Sequence, residues 1–154
     1  MKWISQDIDT YLGAKEYVDT AVIPLYPVAL GEDMQLSAEA AEFITLLTGY
    51  LEKQFTGRVL LFPPITYLKN GQDQPPLTSL ENWEKSIQSA DFKHIFYITS
   101  DINWREFEKD LAGTLLWLPS VPMQHMNDSQ KMKTIESHVK QLLSVFTRKW
   151  HEID

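Results

Sequence analysis

The sequence predicts an α/β fold, and three observations predict it. Four short runs, Thr20 to Tyr26, Arg58 to Phe62, His94 to Thr99 and Thr114 to Leu118, are nearly continuous in apolar residues, as strands buried on both faces require. Stretches whose apolar residues recur at helical spacing lie before, between and after them. Strand and helix alternate four times, and such connections need right-handed crossovers that set neighbouring strands parallel and place helices on both faces. The expected architecture is a three-layer helix-sheet-helix with a short, mainly parallel four-stranded sheet. Its topology should be flavodoxin-like or Rossmann-like, with the second strand outermost, then the first, third and fourth.

The elements follow in order. Ser5 is placed to cap a first helix in which Ile4, Ile8, Tyr11 and Leu12 share a side. In the first strand, Pro24 and Pro27 cannot donate to a ladder, so an edge position or a bulge is expected. Ser37 should cap a second helix to about Thr56 with the stripe Phe43, Ile44, Leu47, Tyr50, Leu51 and Phe55, closed by Gly57. Pro63-Pro64 stops the second strand, and a loop is expected to follow, most polar between Lys69 and Pro76. Thr78-Ser79-Leu80-Glu81 has the form of a capping box opening a helix that buries Leu80, Trp83 and Ile87. Asp101 or Asn103 should cap a short helix carrying Trp104, Phe107 and Leu111, which Gly113 closes. The last helix, from about Asn127 to Trp150, has the clearest periodicity: Met132, Ile135, Val139, Leu142, Leu143, Phe146 and Trp150.

Composition narrows the class. At 154 residues, 44% hydrophobic and 23% charged, the chain suits one α/β domain spanning residues 1–154, able to bury a core without metal or disulfide. It contains no cysteine, which removes thiolate chemistry and disulfides. Its first residues, Met1-Lys2-Trp3-Ile4-Ser5-Gln6-Asp7, are too polar for a signal peptide, and no apolar run approaches the ~20 residues that span a bilayer. A cytoplasmic protein without a membrane span is expected. A net charge of −7 argues against nucleic acid as a partner, since phosphate contacts need clustered cations. Lys131, Lys133, Lys140, Arg148 and Lys149 read as the solvated face of the last helix.

In open parallel sheets, ligands sit beyond the carboxyl ends of the strands. The residues there, as candidate pocket groups, are Tyr26, Glu32 and Asp33 after the first strand and Thr66 and Tyr67 after the second. Thr99, Ser100 and Asp101 follow the third, and Ser120 and His125 the fourth. The six glycines never form a Gly-x-Gly pair, so the dinucleotide fingerprint and the P-loop are absent. Ile98-Thr99-Ser100-Asp101-Ile102 is too bulky for a nucleophile elbow, which makes Ser100 and Asp101 turn and cap residues first. Glu32 and Asp33 could form a carboxylate pair, but adjacent loop acids are ordinarily solvated. No two histidines are spaced to share a helical face, and only His125 lies where a site would be. No catalytic residue, cofactor or metal site is therefore assigned. Of the five tryptophans, Trp83 and Trp104 fall on core stripes, and Trp3 and Trp150 either pack near the termini or stay open to a partner.

The strings Met1-Lys2-Trp3, Ser5-Gln6-Asp7-Ile8-Asp9-Thr10-Tyr11 and Ala14-Lys15-Glu16-Tyr17-Val18-Asp19-Thr20-Ala21-Val22-Ile23-Pro24-Leu25 resemble the YpiF-like family of Bacillus-type bacteria along the whole chain. The resemblance implies a cytosolic bacterial protein and transfers no catalytic residue, since that family has no assigned activity. Leu60-Leu61-Phe62-Pro63-Pro64-Ile65-Thr66-Tyr67 is more faintly similar to the proline-rich turn of creatininase-type amidohydrolases. Where those enzymes place a metal-binding histidine and glycine, Tyr26-Pro27-Val28-Ala29-Leu30-Gly31-Glu32-Asp33 stands instead, so the likeness implies fold alone.

Two functional expectations result. The first is a non-enzymatic module that binds a protein partner or itself. The second is a small-molecule-binding protein or degenerate hydrolase using Tyr67, Asp101 and His125 at the strand ends, with the Lys69 to Pro76 loop as a lid.

Overall fold

A computed structural model describes residues 1–69 and 74–152; residues 70–73, at the centre of the expected lid, lie outside the described residues. The order of elements is α1 (Ser5–Leu12), β1 (Thr20–Val28), α2 (Met34–Gln54), β2 (Val59–Leu61), β3 (Ile65–Leu68), α3 (Leu77–Ser89), β4 (His94–Thr99), a 3-10 helix (Ile102–Asp110), β5 (Thr114–Trp117) and α4 (Asp128–His151). All pairings are parallel, and the sheet runs β2-β1-β4-β5 with β3 also on β1. The predicted order of the four expected strands holds. The fifth strand, β3, forms where a loop was expected: after Pro63-Pro64 the chain rejoins the edge of β1 that β2 has left, pairing Leu25 with Ile65 and Val28 with Leu68.

β1 is a central strand, not the edge its prolines suggested, and the ladder explains how. The N–H of Thr20 reaches the Arg58 carbonyl and the Val22 carbonyl accepts from Phe62, so even-numbered residues face β2 and β3. The Asp19 carbonyl accepts from Lys93 and His94, so odd-numbered residues face β4. Pro24 therefore lacks its donor in the gap between the last β2 pair, Val22 with Leu61, and the first β3 pair. Pro27 lacks its donor toward β4, whose register with β1 already ends at Leu25 and Thr99. Each proline omits a hydrogen bond for which the sheet has no partner.

Alternation along the strands builds two cores. Ala21, Ile23, Leu25, Leu60, Ile95 and Tyr97 point toward α1, α3 and the 3-10 helix, where Leu80, Ile87 and Trp104 meet them. Val22, Val59, Phe96 and Ile98 point toward α2 and α4, against Phe43, Leu47, Val139 and Phe146. Trp3 packs on Phe62 and Trp150 on Phe55 and Phe146, so these two tryptophans lie on opposite faces.

Several helix starts differ from expectation. Ile4, not Ser5, precedes α1, and Asp33 precedes α2 without a side-chain cap. Ser37 lies inside α2, accepting from the Ala29 N–H and donating to the Met34 carbonyl. Pro76 occupies the cap of α3, so the Thr78–Glu81 box does not form. Trp83 is 41% exposed; the buried stripe of α3 is Leu80, Glu84 and Ile87. Gly113 is required by crowding and not by helix termination, since a Cβ there would lie 2.8 Å from the Tyr97 ring and 2.9 Å from the Ile95 carbonyl. Asp101 does cap the 3-10 helix, and Asn127 with Gln130 forms a capping box at α4. Among the described residues, no helix is long and apolar enough to cross a membrane.

Candidate functional site

The carboxyl end of the sheet is organised around Asp101. Thr99, the last residue of β4, donates its hydroxyl to the Leu25 carbonyl and accepts from the Asp101 N–H, which fixes the turn leaving the strand. The Asp101 side chain, 1% exposed, then accepts from three donors. Tyr67 on β3 donates its hydroxyl to Oδ2 at 2.5 Å, while Lys69 Nζ and the Asn103 N–H reach Oδ1 at 3.0 Å each. The Trp104 indole N–H donates to the Tyr67 hydroxyl at 2.8 Å, with the two rings edge to face. Burial first, and then the hydrogen bond to Asp101, push the Tyr67 hydroxyl well above the ordinary tyrosine range.

This arrangement is saturated. Asp101 neutralises Lys69 and satisfies Tyr67 and the helix start together, so its oxygens are already committed. Tyr67 is a proton donor to one neighbour and an acceptor to another, which leaves its single proton already committed. Asp101 and Tyr67 are thus brought together as their strand-end positions suggested, but inside the protein.

The other nominated residues lie apart. Tyr26 bonds to Thr45 and packs against the α2 and α4 face, with burial raising its pKa. Thr66, Glu32, Asp33 and His125 are exposed, and Ser120 is half-buried. Ser100 Oγ is enclosed without a hydrogen-bond partner among the described residues, and its carbonyl accepts from the Trp117 indole. Among the described residues, the clefts lined by Asp19 and Arg58, by Gly49 and Met132, by Trp117 and Leu142, and by Ile102 and Arg105 include none of these nominated residues. Instead Leu30, Met34, Leu36, Leu68 and Ile102 are exposed at this end.

A cavity of about 450 Å³ opens at the opposite, amino end of the strands. Asp19, Arg58, Lys93, His94, Lys149, Trp150 and Glu152 line it, together with Thr114 and Ala112. Arg58 is held on two sides. Its Nε and Nη2 reach both Asp19 oxygens at 3.0 and 3.2 Å, and its guanidinium lies 4.2 Å from the centre of the Trp150 ring. The Trp150 indole donates to Thr20 Oγ1, whose hydroxyl donates to Asp19, closing the cycle. Strand-end reasoning passed over this cleft because it points to the other end. The available signal was that Asp19, Arg58 and Lys93 each stand immediately before a strand. α2, α3 and α4 also end on this side, and their carbonyl ends favour the cations found there.

Two other grooves flank α4. A groove of about 380 Å³ follows the edge strand β5, between the 3-10 helix and α4. Another, of about 350 Å³, lies between α2 and α4. Among the described residues, no group of three or more His, Asp or Glu side chains is placed to hold a metal ion.

Comparison with known proteins agrees with the resemblance read from the sequence. The family described as "Protein of unknown function (DUF2487)" matches residues 9–150. The chain is 36% identical over 150 residues to the "Uncharacterized protein YpiF" of Bacillus subtilis (strain 168), covering 97% of this chain and 98% of that protein. No solved structure matches the chain.

Proposed function

The chain belongs to the DUF2487 family of proteins of unknown function, and from that premise we propose that it acts by binding another protein chain and not by catalysis. One observation carries the reading. The end of the sheet where an α/β enzyme assembles its reactive groups holds Asp101, Tyr67, Trp104 and Lys69, chained by hydrogen bonds through Asp101 and Tyr67. Catalysis needs groups that meet the substrate and change their bonding in the transition state. A carboxylate with three internal donors and 1% exposure is built to hold the turn after β4.

The cleft at the amino end favours a second reading, a binding site for a small anionic molecule, because it is open and presents Arg58, Lys93 and Lys149. Against it, Asp19 already neutralises Arg58, and Lys149 is paired with Glu152 at 3.5 Å.

Affinity capture from a bacterial lysate separates the two. Wild-type chain, Tyr67→Phe and the double variant Arg58→Ala/Lys93→Ala are used in parallel, and retained proteins and metabolites are identified by mass spectrometry. The protein-binding reading expects a stoichiometric protein retained by all three. A metabolite retained by wild type and lost from the double variant, with no protein partner, would replace it with the second reading.

A further inference from the structure

Helix α2 carries a glycine, Gly49, in its interior, where glycine weakens a helix relative to alanine. A glycine inside a helix is often explained by a neighbour that a methyl group would strike, but Gly49 is only half-buried. A Cβ at Gly49 would meet nothing within 4 Å, so the chain itself gives no such reason. Gly49 lines the groove between α2 and α4, where Leu46 and Met132 stand exposed on either side and Thr45, Tyr50 and Ile135 complete the walls.

The charge at this groove reverses the character of the chain. The protein has 21 acidic and 14 basic side chains, yet the groove is lined by Lys2, Lys53 and Lys131 against Asp128 alone. Lys2 and Lys53 have no ion pair among the described residues. Lys131 reaches Glu42 only at 3.9 Å, and Glu136 is engaged by the Tyr50 hydroxyl.

We propose that the α2 and α4 groove is the docking site for an acidic amphipathic helix of a partner protein, an inference that rests on the protein-binding reading above. Two helices lying side by side leave a channel into which the side-chain ridge of a third fits, and the missing side chain at Gly49 lets that ridge come close. Leu46 and Met132 supply apolar contact, methionine adapting to the shape of its partner. The three lysines select an acidic outer face.

The test titrates the full chain with two synthetic amphipathic peptides that share one leucine face and differ only in carrying Glu or Lys on the other. Binding is followed by NMR at the Gly49 amide and the Met132 methyl. The Glu peptide should shift both signals saturably and the Lys peptide should not. Lys2→Glu/Lys53→Glu should weaken the Glu peptide at least about tenfold. Gly49→Ala guards against misfolding: it should raise Tm by about 2–4 °C and still weaken the peptide about tenfold.

The proposal is overturned if the Glu peptide leaves the two signals unmoved or if both peptides bind alike. It is equally overturned if the signals shift on concentrating the chain alone, which would make the occupant a second copy, or only on adding fatty-acid vesicles. A partner captured equally by wild type and Lys2→Glu/Lys53→Glu would overturn the groove while leaving the protein-binding reading in place.

Discussion

The two ends of the sheet carry similar inventories of charged and aromatic side chains and use them in opposite ways. At the carboxyl end, Asp101, Lys69, Tyr67 and Trp104 form a network with the carboxylate almost wholly withdrawn from water. At the amino end, Asp19, Arg58 and Trp150 form a comparable acid, cation and indole set, but around an open cleft, with the Asp19 side chain 19% exposed where that of Asp101 is 1%. The difference is one of dielectric. A charge paired inside the protein is expensive to leave alone, whereas one paired at the surface can exchange its partner for water. The first arrangement stabilises a structure, and the second leaves groups available.

That contrast ranks the consequences of substitution. Asp101→Ala should have the largest effect, lowering unfolding free energy in urea by about 2–4 kcal/mol, because Tyr67 and the Asn103 amide lose their acceptor together while Lys69, 34% exposed, can turn to water. A loss below about 1 kcal/mol would mean that water already serves these groups and the network is not closed.

Tyr67→Phe should come next, at about 1–3 kcal/mol, since it strands the Trp104 indole N–H and removes one donor to Asp101. It should also change the response to alkali. The folded protein holds Tyr67 neutral beyond the ordinary pKa of about 10, so its contribution is fully present below that pH and is lost as pH rises above it. Tyr97, raised by burial and then by the nearby Glu84 carboxylate, contributes in the same direction. Wild type should therefore lose stability above about pH 10 more steeply than Tyr67→Phe, as followed by thermal melts across that range. Equal slopes would show that Tyr67 is already in water.

Arg58→Ala should have the smallest effect, about 1 kcal/mol or less by the same urea measurement, despite removing two hydrogen bonds and a ring contact. A loss rivalling that of Asp101→Ala would erase the distinction between the ends.

The sequence made the layered fold readable because burial on both faces leaves a direct signature in strands such as His94 to Thr99, and α4 repeats its apolar residues over about five turns, from Met132 to Trp150. β3 was not readable, since four residues after a double proline carry no period of their own and become a strand only through the edge that β1 offers. The prolines of β1 misled for a related reason: whether a missing donor matters depends on which partner faces it, and pairing is a property of the assembled sheet. Strand-end reasoning did select Tyr67 and Asp101. It treated them as lining a pocket because the spacing of residues reveals which end of a strand they occupy, not whether Trp104 and Lys69 will close over them. Trp83 was misplaced because Glu84, anchored by the Ala112 and Gly113 amides, takes the buried position beside it.

Hydrogen exchange of the Trp104 indole N–H in the native protein reports whether the carboxyl-end network is closed, because that proton lies within it, on the Tyr67 hydroxyl. A closed network exchanges only through opening comparable to global unfolding, as slowly as the amides of Phe96 and Tyr97 on the central strand β4. Exchange through a local opening of low free energy, with those strand amides still protected, would make the network a gate over a site that a ligand can enter and would contradict that closure.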